Sequence, residues 1–231
     1  MSAVALLREQ LAAILDVAPA GEGPLATGVR ALDAALRGGI PRGRVTELVA
    51  TPGGGAATLI RRLAETTVAR DEGLWIAVID ATRTLAPRDW ASICLRPGVW
   101  VIRPADPARA AWCADVLLRS GAFALVVLDG APPASRAVAV RLERLAREHD
   151  TALVIVRDAG QAAGALPSTL RLRLGAAGRQ DRVAVQVDRG APPRRVELPR
   201  TIQAPRRLGR HPEPPDRRGA ERTTRAAGRR R

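Results

Sequence analysis

Five short apolar runs recur between Val45 and Val156, and segments with helical spacing of apolar residues separate them. The runs are VTELVA, LWIAVID, VWVIR, FALVVLD and TALVIV. Helices are expected from about Thr58 to Arg70, between LWIAVID and VWVIR, from about Pro107 to Arg119, and over ASRAVAVRLERLAREH. Continuous apolar strands that alternate with helices are typical of a parallel sheet covered on both faces. The pattern therefore predicts an α/β core.

Beyond Pro167 the pattern changes from continuous apolar runs to alternation. The segments LRLRL, RVAVQV and RRVEL alternate apolar residues with charged or polar ones, and Gly- and Pro-containing turns join them. A period of two is typical of antiparallel strands with one buried face and one solvated face. The predicted fold is a mostly parallel sheet flanked by helices, with late antiparallel strands.

The two ends of the chain differ from this core. Residues 3–16 have apolar side chains at helical spacing, which predicts an amphipathic helix that packs either on its own core or on another subunit. The residues after Pro199 are rich in Arg, Pro and Gly with few apolar side chains, so we predict a disordered tail. The predicted parts are an N-terminal helix and linker (1–24), a core (25–198) and a basic tail (199–231).

Composition adds a basic excess that is concentrated in the tail. The chain carries 37 basic and 23 acidic residues, a formal net charge of +14. Residues 200–231 hold eleven Arg against three acidic residues, a net charge of +8. Every basic side chain is Arg, as in proteins from GC-rich genomes, so no mechanism that requires a Lys is open to this chain.

Two features argue against metal ligation and membrane insertion. Cys94 and Cys113 have neither a metal-ligand spacing nor the density of a disulfide scaffold. Apolar runs such as FALVVL are too short to span a bilayer. The sequence predicts a cytoplasmic protein with reduced thiols, no metal and no membrane contact.

A glycine cluster follows the first strand and precedes a helix, which is the layout of a phosphate-binding loop. Such a loop reads GxxxxGK[ST], in which backbone N–H groups surround the phosphates, the Lys reaches the terminal ones and the hydroxyl coordinates magnesium. Here ATPGGGAA puts Ala50 at the first Gly and Gly55 at the second, with Gly53 and Gly54 before it. Ala56 and Ala57 replace the Lys and the Ser/Thr, and Thr58 comes one position too late. The loop is either a former nucleotide site or only a tight turn.

The flanking residues favour the first interpretation, because they resemble a known family. LATGVRALDAALRGGIPRGRVTELVA, residues 25–50, resembles the entrance to the ATPase core of the RecA-type recombinases. The matching positions are Thr27, Gly28, Leu32, Asp33, Gly38, Gly39, Pro41, Gly43, Arg44 and Glu47. The likeness extends from about Leu25 to Leu198 and implies a RecA-like fold.

The resemblance fails at the positions that carry the family's chemistry. The family's second strand ends in an Asp followed two places later by a catalytic Glu, whereas this chain has Asp80 and then Thr82. Asp129 matches the acidic residue of the second nucleotide motif, but Arg157 and Asp158 replace the Asn-Gln sensor pair. We therefore expect no catalytic residue and no cofactor, only a vestigial site. Its residues are Ala50, Gly53, Gly54, Gly55, Ala56 and Ala57 in the loop, with acidic Asp80 and Asp129.

Among RecA relatives, a short chain with a broken ATP site, an N-terminal helix and a basic tail most resembles the ImuA family. That resemblance implies an accessory role in SOS-induced translesion synthesis and mutagenesis. It implies as partners an ImuB-like Y-family polymerase homologue, an error-prone replicative-type polymerase and RecA itself. Two alternatives stay open: a SulA-like inhibitor of cell division, and a divergent DNA-dependent ATPase that takes its missing cation from a neighbouring subunit.

The tail and the tryptophans are the remaining candidates for DNA contact. The tail either remains solvated or contacts DNA phosphates or a partner through its Arg residues. Of the four Trp, we expect Trp75, Trp100 and Trp112 to pack in the core and Trp90 to be the exposed one. The candidate tail residues are Arg206, Arg207, Arg210, Arg217, Arg218, Arg229, Arg230 and Arg231.

Overall fold

Within the described part of the chain, eight strands form one mixed sheet. The computed structural model describes residues 23–199, except residues 71–72, 95, 97, 162–167 and 178–180. The predicted N-terminal helix and the basic tail lie outside the described residues. The strands are β1 Val45–Ala50, β2 Trp75–Asp80, β3 Val99–Ile102, β4 Phe123–Asp129, β5 Ala152–Asp158, β6 Leu170–Ala176, β7 Arg182–Arg189 and β8 Arg195–Pro199. Their order in the sheet is β3-β2-β4-β5-β1-β6-β7-β8.

Helices cover both faces of the parallel strands, as the sequence predicts. One face packs against α1 to α3 through side chains such as Leu32, Ile60 and Trp90, and the other packs against α4 and α5 through Leu117 and Leu142. No described helix is long and apolar enough to cross a membrane. The helices are α1 Arg30–Ala35, α2 Ala56–Arg70, α3 Pro87–Cys94, α4 Ala110–Ser120 and α5 Arg136–Glu148. The predicted α/β RecA-like fold class is confirmed.

The late strands have the predicted solvated face, but one of them does not run in the predicted antiparallel direction. Leu170, Leu172 and Leu174 of β6 are buried, while Arg171 and Arg173 point to the other face, where Arg173 lies 2.9 Å from Asp188 of β7. However, β6 pairs with β1 in the parallel sense, and only β7 and β8 are antiparallel to their neighbours. Alternation reports which face is solvated, and it does not report strand direction.

The residues before β1 form a braced segment that positions the first strand. Thr27 donates to Asp33 Oδ1 from both its backbone N–H (2.7 Å) and its hydroxyl (2.6 Å). Leu25 and Ile40 exchange two backbone hydrogen bonds of 2.8 Å. Gly28 lies so close to α2 that an added Cβ would stand 2.5 Å from the Thr66 hydroxyl. The Thr-Gly and Leu-Asp pairs of this segment therefore have a structural role in the fold.

Candidate functional site

The glycine loop connects the end of β1 to the start of α2, as predicted. Gly53 and Gly55 have φ of 73° and 97°, which L side chains rarely adopt. The Gly54 N–H donates to the Thr51 carbonyl at 2.7 Å and closes the turn. A Cβ on Gly55 would come within 2.5 Å of the Val183 side chain on β7. The glycines are therefore required by backbone conformation and by packing, whether or not a phosphate is bound.

The loop presents methyl groups where a phosphate-binding loop presents its Lys and hydroxyl. Ala56 and Ala57 are the first two residues of α2. Backbone N–H groups at a helix start are suited to anions, but neither side chain offers an ammonium or a magnesium ligand. These two positions therefore supply no charged or metal-binding side chain to the loop.

Asp80, at the end of β2, is fully buried and engaged on both carboxylate oxygens. Oδ1 accepts from the Thr84 N–H at 2.8 Å, and Oδ2 accepts from Arg103 Nε at 2.9 Å and from the Leu85 N–H at 3.2 Å. Arg103 also donates to the Leu85 carbonyl at 2.6 Å. The carboxylate therefore fastens the loop after β2 to the segment after β3.

Asp129, at the end of β4, is the neighbour of Asp80 across the sheet. The two residues are paired in register on adjacent parallel strands. Burial, and then the charge of Asp80, raise the pKa of Asp129 to about 6, against a smaller opposing effect of the Gly130 N–H. The structure thus brings the two predicted acidic residues together, and their environments differ because only Asp80 has an Arg partner among the described contacts.

Thr82, two places after Asp80, is the residue that the resemblance aligns with the family's catalytic Glu, and it is exposed. Its hydroxyl lies 3.3 Å from the Thr84 hydroxyl, and its side chain packs against Gly130, where an added Cβ would stand 2.6 Å away. A hydroxyl with an ordinary acidity is a poor general base compared with a carboxylate.

The sensor positions at the end of β5 are engaged in contacts within the fold. Arg157 Nη1 donates to Glu47 Oε1 at 3.0 Å, and Arg171 Nε donates to Glu47 Oε2 at 2.6 Å. Glu47 is fully buried on the central strand β1, between the two Arg-bearing strands. Asp158 Oδ1 accepts from the Gly160 N–H at 2.8 Å and closes a local turn.

Comparison with known proteins identifies the group to which this fold and loop belong. Residues 18–141, more than half of the chain, match the RecA N-terminal domain. The chain belongs to this family. It is 37% identical over 107 residues to Protein RecA of Deinococcus radiodurans, a match that covers 46% of this chain and 29% of that protein.

Other RecA proteins give similar matches. The chain is 37% identical over 105 residues to Protein RecA of Cutibacterium acnes (45% of this chain, 30% of that protein). It is 36% identical over 108 residues to Protein RecA of Chlorobium chlorochromatii (46% and 30%). The chain therefore spans about 30% of the length of the curated RecA relatives it matches.

Within this RecA-family chain, the Glu47 ion triad is the feature that sequence reasoning missed. The sequence shows Glu47 only as part of a motif and Arg171 only as a polar position of an alternating strand. A signal is present, because a single carboxylate inside the apolar strand VTELVA needs a buried partner. The sequence does not name that partner, since Arg171 lies 124 positions away.

Two of the four tryptophan predictions are correct. Trp75 and Trp100 pack edge-on with Phe123, with ring centroids 5.7–6.4 Å apart. Trp90 is only 3% exposed and packs in the core, so its predicted exposure is wrong. Trp112 is 40% exposed on α4, so its predicted packing in the core is also wrong, and the Arg109 guanidinium lies 4.9 Å from its ring centroid. The tail Arg residues lie outside the described residues.

The raised pKa of Asp129 predicts a pH dependence of stability. The folded state binds the proton of the Asp129 carboxyl more tightly than the unfolded state does. The free energy of unfolding is therefore expected to fall as the pH rises from about 4 to about 6. The expected loss is about 2 kcal/mol after allowance for partial solvent exposure. Urea unfolding of the wild type and of Asp129→Asn at intervals from pH 4 to pH 7 measures it. The wild type should lose stability relative to the variant across this range, and two parallel profiles would contradict the prediction.

Proposed function

We propose that this chain is a non-catalytic RecA-like accessory protein of the DNA-damage response, which acts in translesion synthesis through protein partners. The observation that supports this proposal is the engagement of the would-be catalytic positions. Asp80 and Arg157 each hold another part of the fold, Asp158 closes a local turn, and the glycine loop ends in two Ala residues. The RecA-type scaffold is retained without the groups that turn over a triphosphate.

The size of the missing interactions supports the absence of turnover. A charge-assisted hydrogen bond contributes about 1.5–3 kcal/mol, so the loss of the Lys alone weakens nucleotide binding about tenfold to a hundredfold. An Arg supplied by a neighbouring subunit replaces a cation, but it replaces neither the hydroxyl nor the carboxylate base. We therefore propose that the divergent ATPase is the weaker alternative.

Rebuilding the loop tests this account. We expect the wild type to retain no ATP at micromolar concentration, and the double variant Ala56→Lys with Ala57→Thr to bind Mg·ATP about tenfold to a hundredfold more tightly. The double variant should still not hydrolyse ATP, because Thr82 supplies no carboxylate. Calorimetric titration and phosphate release with and without single-stranded DNA measure the two quantities.

A matched control places the new charge away from the loop. Ala137→Lys lies on the exposed side of α5 and should leave ATP affinity unchanged. DNA-stimulated turnover by the wild type that disappears in Asp129→Ala would show an active ATPase and would refute the non-catalytic proposal.

We propose that the basic tail contacts DNA as part of this accessory role. The described chain ends at Pro199, which pairs with Arg182 at the end of the sheet where the glycine loop lies, since the adjacent Val183 is close to Gly55. Replacing the eight candidate tail Arg with Gln should weaken binding to single-stranded DNA. The slope of log K against log salt should fall by about 0.7 for each phosphate that the tail no longer neutralises. An unchanged slope, measured by fluorescence anisotropy, would exclude the tail as the DNA-binding segment.

The proposed partners are an ImuB-like polymerase homologue, an error-prone replicative-type polymerase and RecA. Each is testable with purified components by size-exclusion chromatography with this chain. Stable binding to a division GTPase and to none of these three would favour the SulA-like alternative.

A further inference from the structure

A cavity of about 410 Å³ opens at the end of the sheet opposite the glycine loop. Residues from the segment before β1, from the starts of β5 and β6, and from the turn after β7 line it. Its volume falls in the range of sites that enclose small ligands or side chains. No contact of the candidate site described above involves this cavity.

Aliphatic side chains supply most of the cavity's apolar wall. Pro24, Leu36 and Pro41 come from the braced segment before β1, Leu170 from the start of β6, and Ala191 from the turn after β7. Leu36 and Ala191 are only partly buried although they pack against the core, so apolar surface remains exposed here. An inserted apolar side chain would remove this surface from water, at about 25 cal/mol per Å².

Among the described residues at the rim of the cavity, Arg side chains outnumber carboxylates. Arg37 is exposed on the lining, and Arg70 reaches the same wall, where its Nη1 donates to the Pro24 carbonyl at 3.3 Å. The acidic residue of the lining, Asp150, is already paired with the buried Arg42, whose Nε lies 3.0 Å from its carboxylate and 2.9 Å from its carbonyl. A ligand with carboxylates beside an apolar group complements this arrangement.

We propose that this cavity binds an acidic peptide segment of a partner protein, which inserts one apolar side chain between Leu36 and Ala191 and places carboxylates against Arg37 and Arg70. A nucleic acid fits less well, because the lining residues include no aromatic side chain on which a base could stack. The proposal goes beyond the function proposed above. It does not depend on whether the glycine loop binds ATP, so either proposal can fail without the other.

The test uses a fluorescein-labelled peptide of sequence Asp-Glu-Leu-Phe-Asp-Glu and the full-length protein. We expect saturable binding by fluorescence anisotropy, at least tenfold tighter than that of Asn-Gln-Leu-Phe-Asn-Gln or Asp-Glu-Ala-Ala-Asp-Glu. Ala191→Phe fills the cavity and should weaken binding tenfold or more. Arg37→Glu should weaken it about fivefold or more. Arg37 has a φ of 58°, in the left-handed region. Arg and Glu are strained to a similar degree in this conformation, so Arg37→Glu changes mainly the charge.

Matched controls keep the result specific. Ala137→Phe and Arg136→Glu, both at the start of α5, are exposed substitutions away from the cavity and should change affinity less than twofold. If Ala191→Phe does not fold, the binding site can be located from the NMR chemical shifts of the leucine methyl groups of the wild type, measured with and without peptide. The peptide should then perturb Leu36 and Leu170 but not the remote Leu142.

Three results would overturn the proposal. They are equal affinity for the Asn/Gln peptide, unchanged binding by both cavity variants, and shift changes that spare Leu36 and Leu170. Displacement of the peptide by a dT12 oligonucleotide in the wild type but not in Arg37→Glu would instead assign the cavity to nucleic acid.

Discussion

Replacing Glu47 with Ala is expected to lower the free energy of unfolding by about 3–5 kcal/mol. The side chain is fully buried on the central strand and joins Arg157 of β5 to Arg171 of β6. Removing the carboxylate takes away the counter-charge that two mostly buried guanidinium groups share, and it leaves the desolvation of Arg171 uncompensated. Urea unfolding followed by the fluorescence of the buried tryptophans measures the loss.

Two comparisons separate this ion triad from a general effect of charge. Glu197→Ala removes an exposed carboxylate from β8 and should change stability by less than about 0.5 kcal/mol. Replacing all three members together, Glu47→Leu with Arg157→Met and Arg171→Met, should recover most of the loss, because no buried charge is then left unpaired. If Glu47→Ala costs no more than Glu197→Ala, the triad does not stabilise the sheet.

Replacing Gly39 with Ala should destabilise the protein by roughly 2–6 kcal/mol. Gly39 has a φ of 135°, and strain of this kind costs about 1–3 kcal/mol in other residues. An added Cβ would also lie 2.0 Å from the Leu25 carbonyl oxygen. Relieving that contact would disturb the two Leu25–Ile40 hydrogen bonds, each of which contributes about 0.5–1.5 kcal/mol.

Gly175→Ala is the matched control for this substitution. Gly175 lies in β6 with an ordinary φ, and an added Cβ would meet nothing within 4 Å. Its thermal midpoint should stay close to that of the wild type, whereas that of Gly39→Ala should fall by many degrees. Equal midpoints for the two variants would mean that the close approach at Gly39 is easily relieved.

The contacts behind these two predictions give a structural reason for the RecA-like motif of residues 25–50. Thr27 and Asp33 brace α1, Gly39 admits the Leu25 backbone, and Glu47 links three strands. Each of these positions is required by the fold itself.

The sequence by itself determined the order of strands and helices along the chain from β1 onward, the glycine turn and the solvated face of the late strands. These features follow from hydrophobic periodicity and from backbone conformations that only glycine adopts readily, and both are local properties of the chain. That Ala56 and Ala57 carry neither an ammonium nor a hydroxyl is equally local, because the residue types at those two positions show it.

Only the tertiary structure decided what the remaining polar residues do. It paired Asp80 with Arg103 and Glu47 with Arg157 and Arg171, it placed β6 parallel to β1, and it formed the cavity beside Leu36. It also buried Trp90, whose eight-residue helix has too few apolar positions to show a periodic pattern. The physical reason is common to all of them: a buried charge or ring is stabilised by groups far away in the chain, and only folding brings those groups into contact.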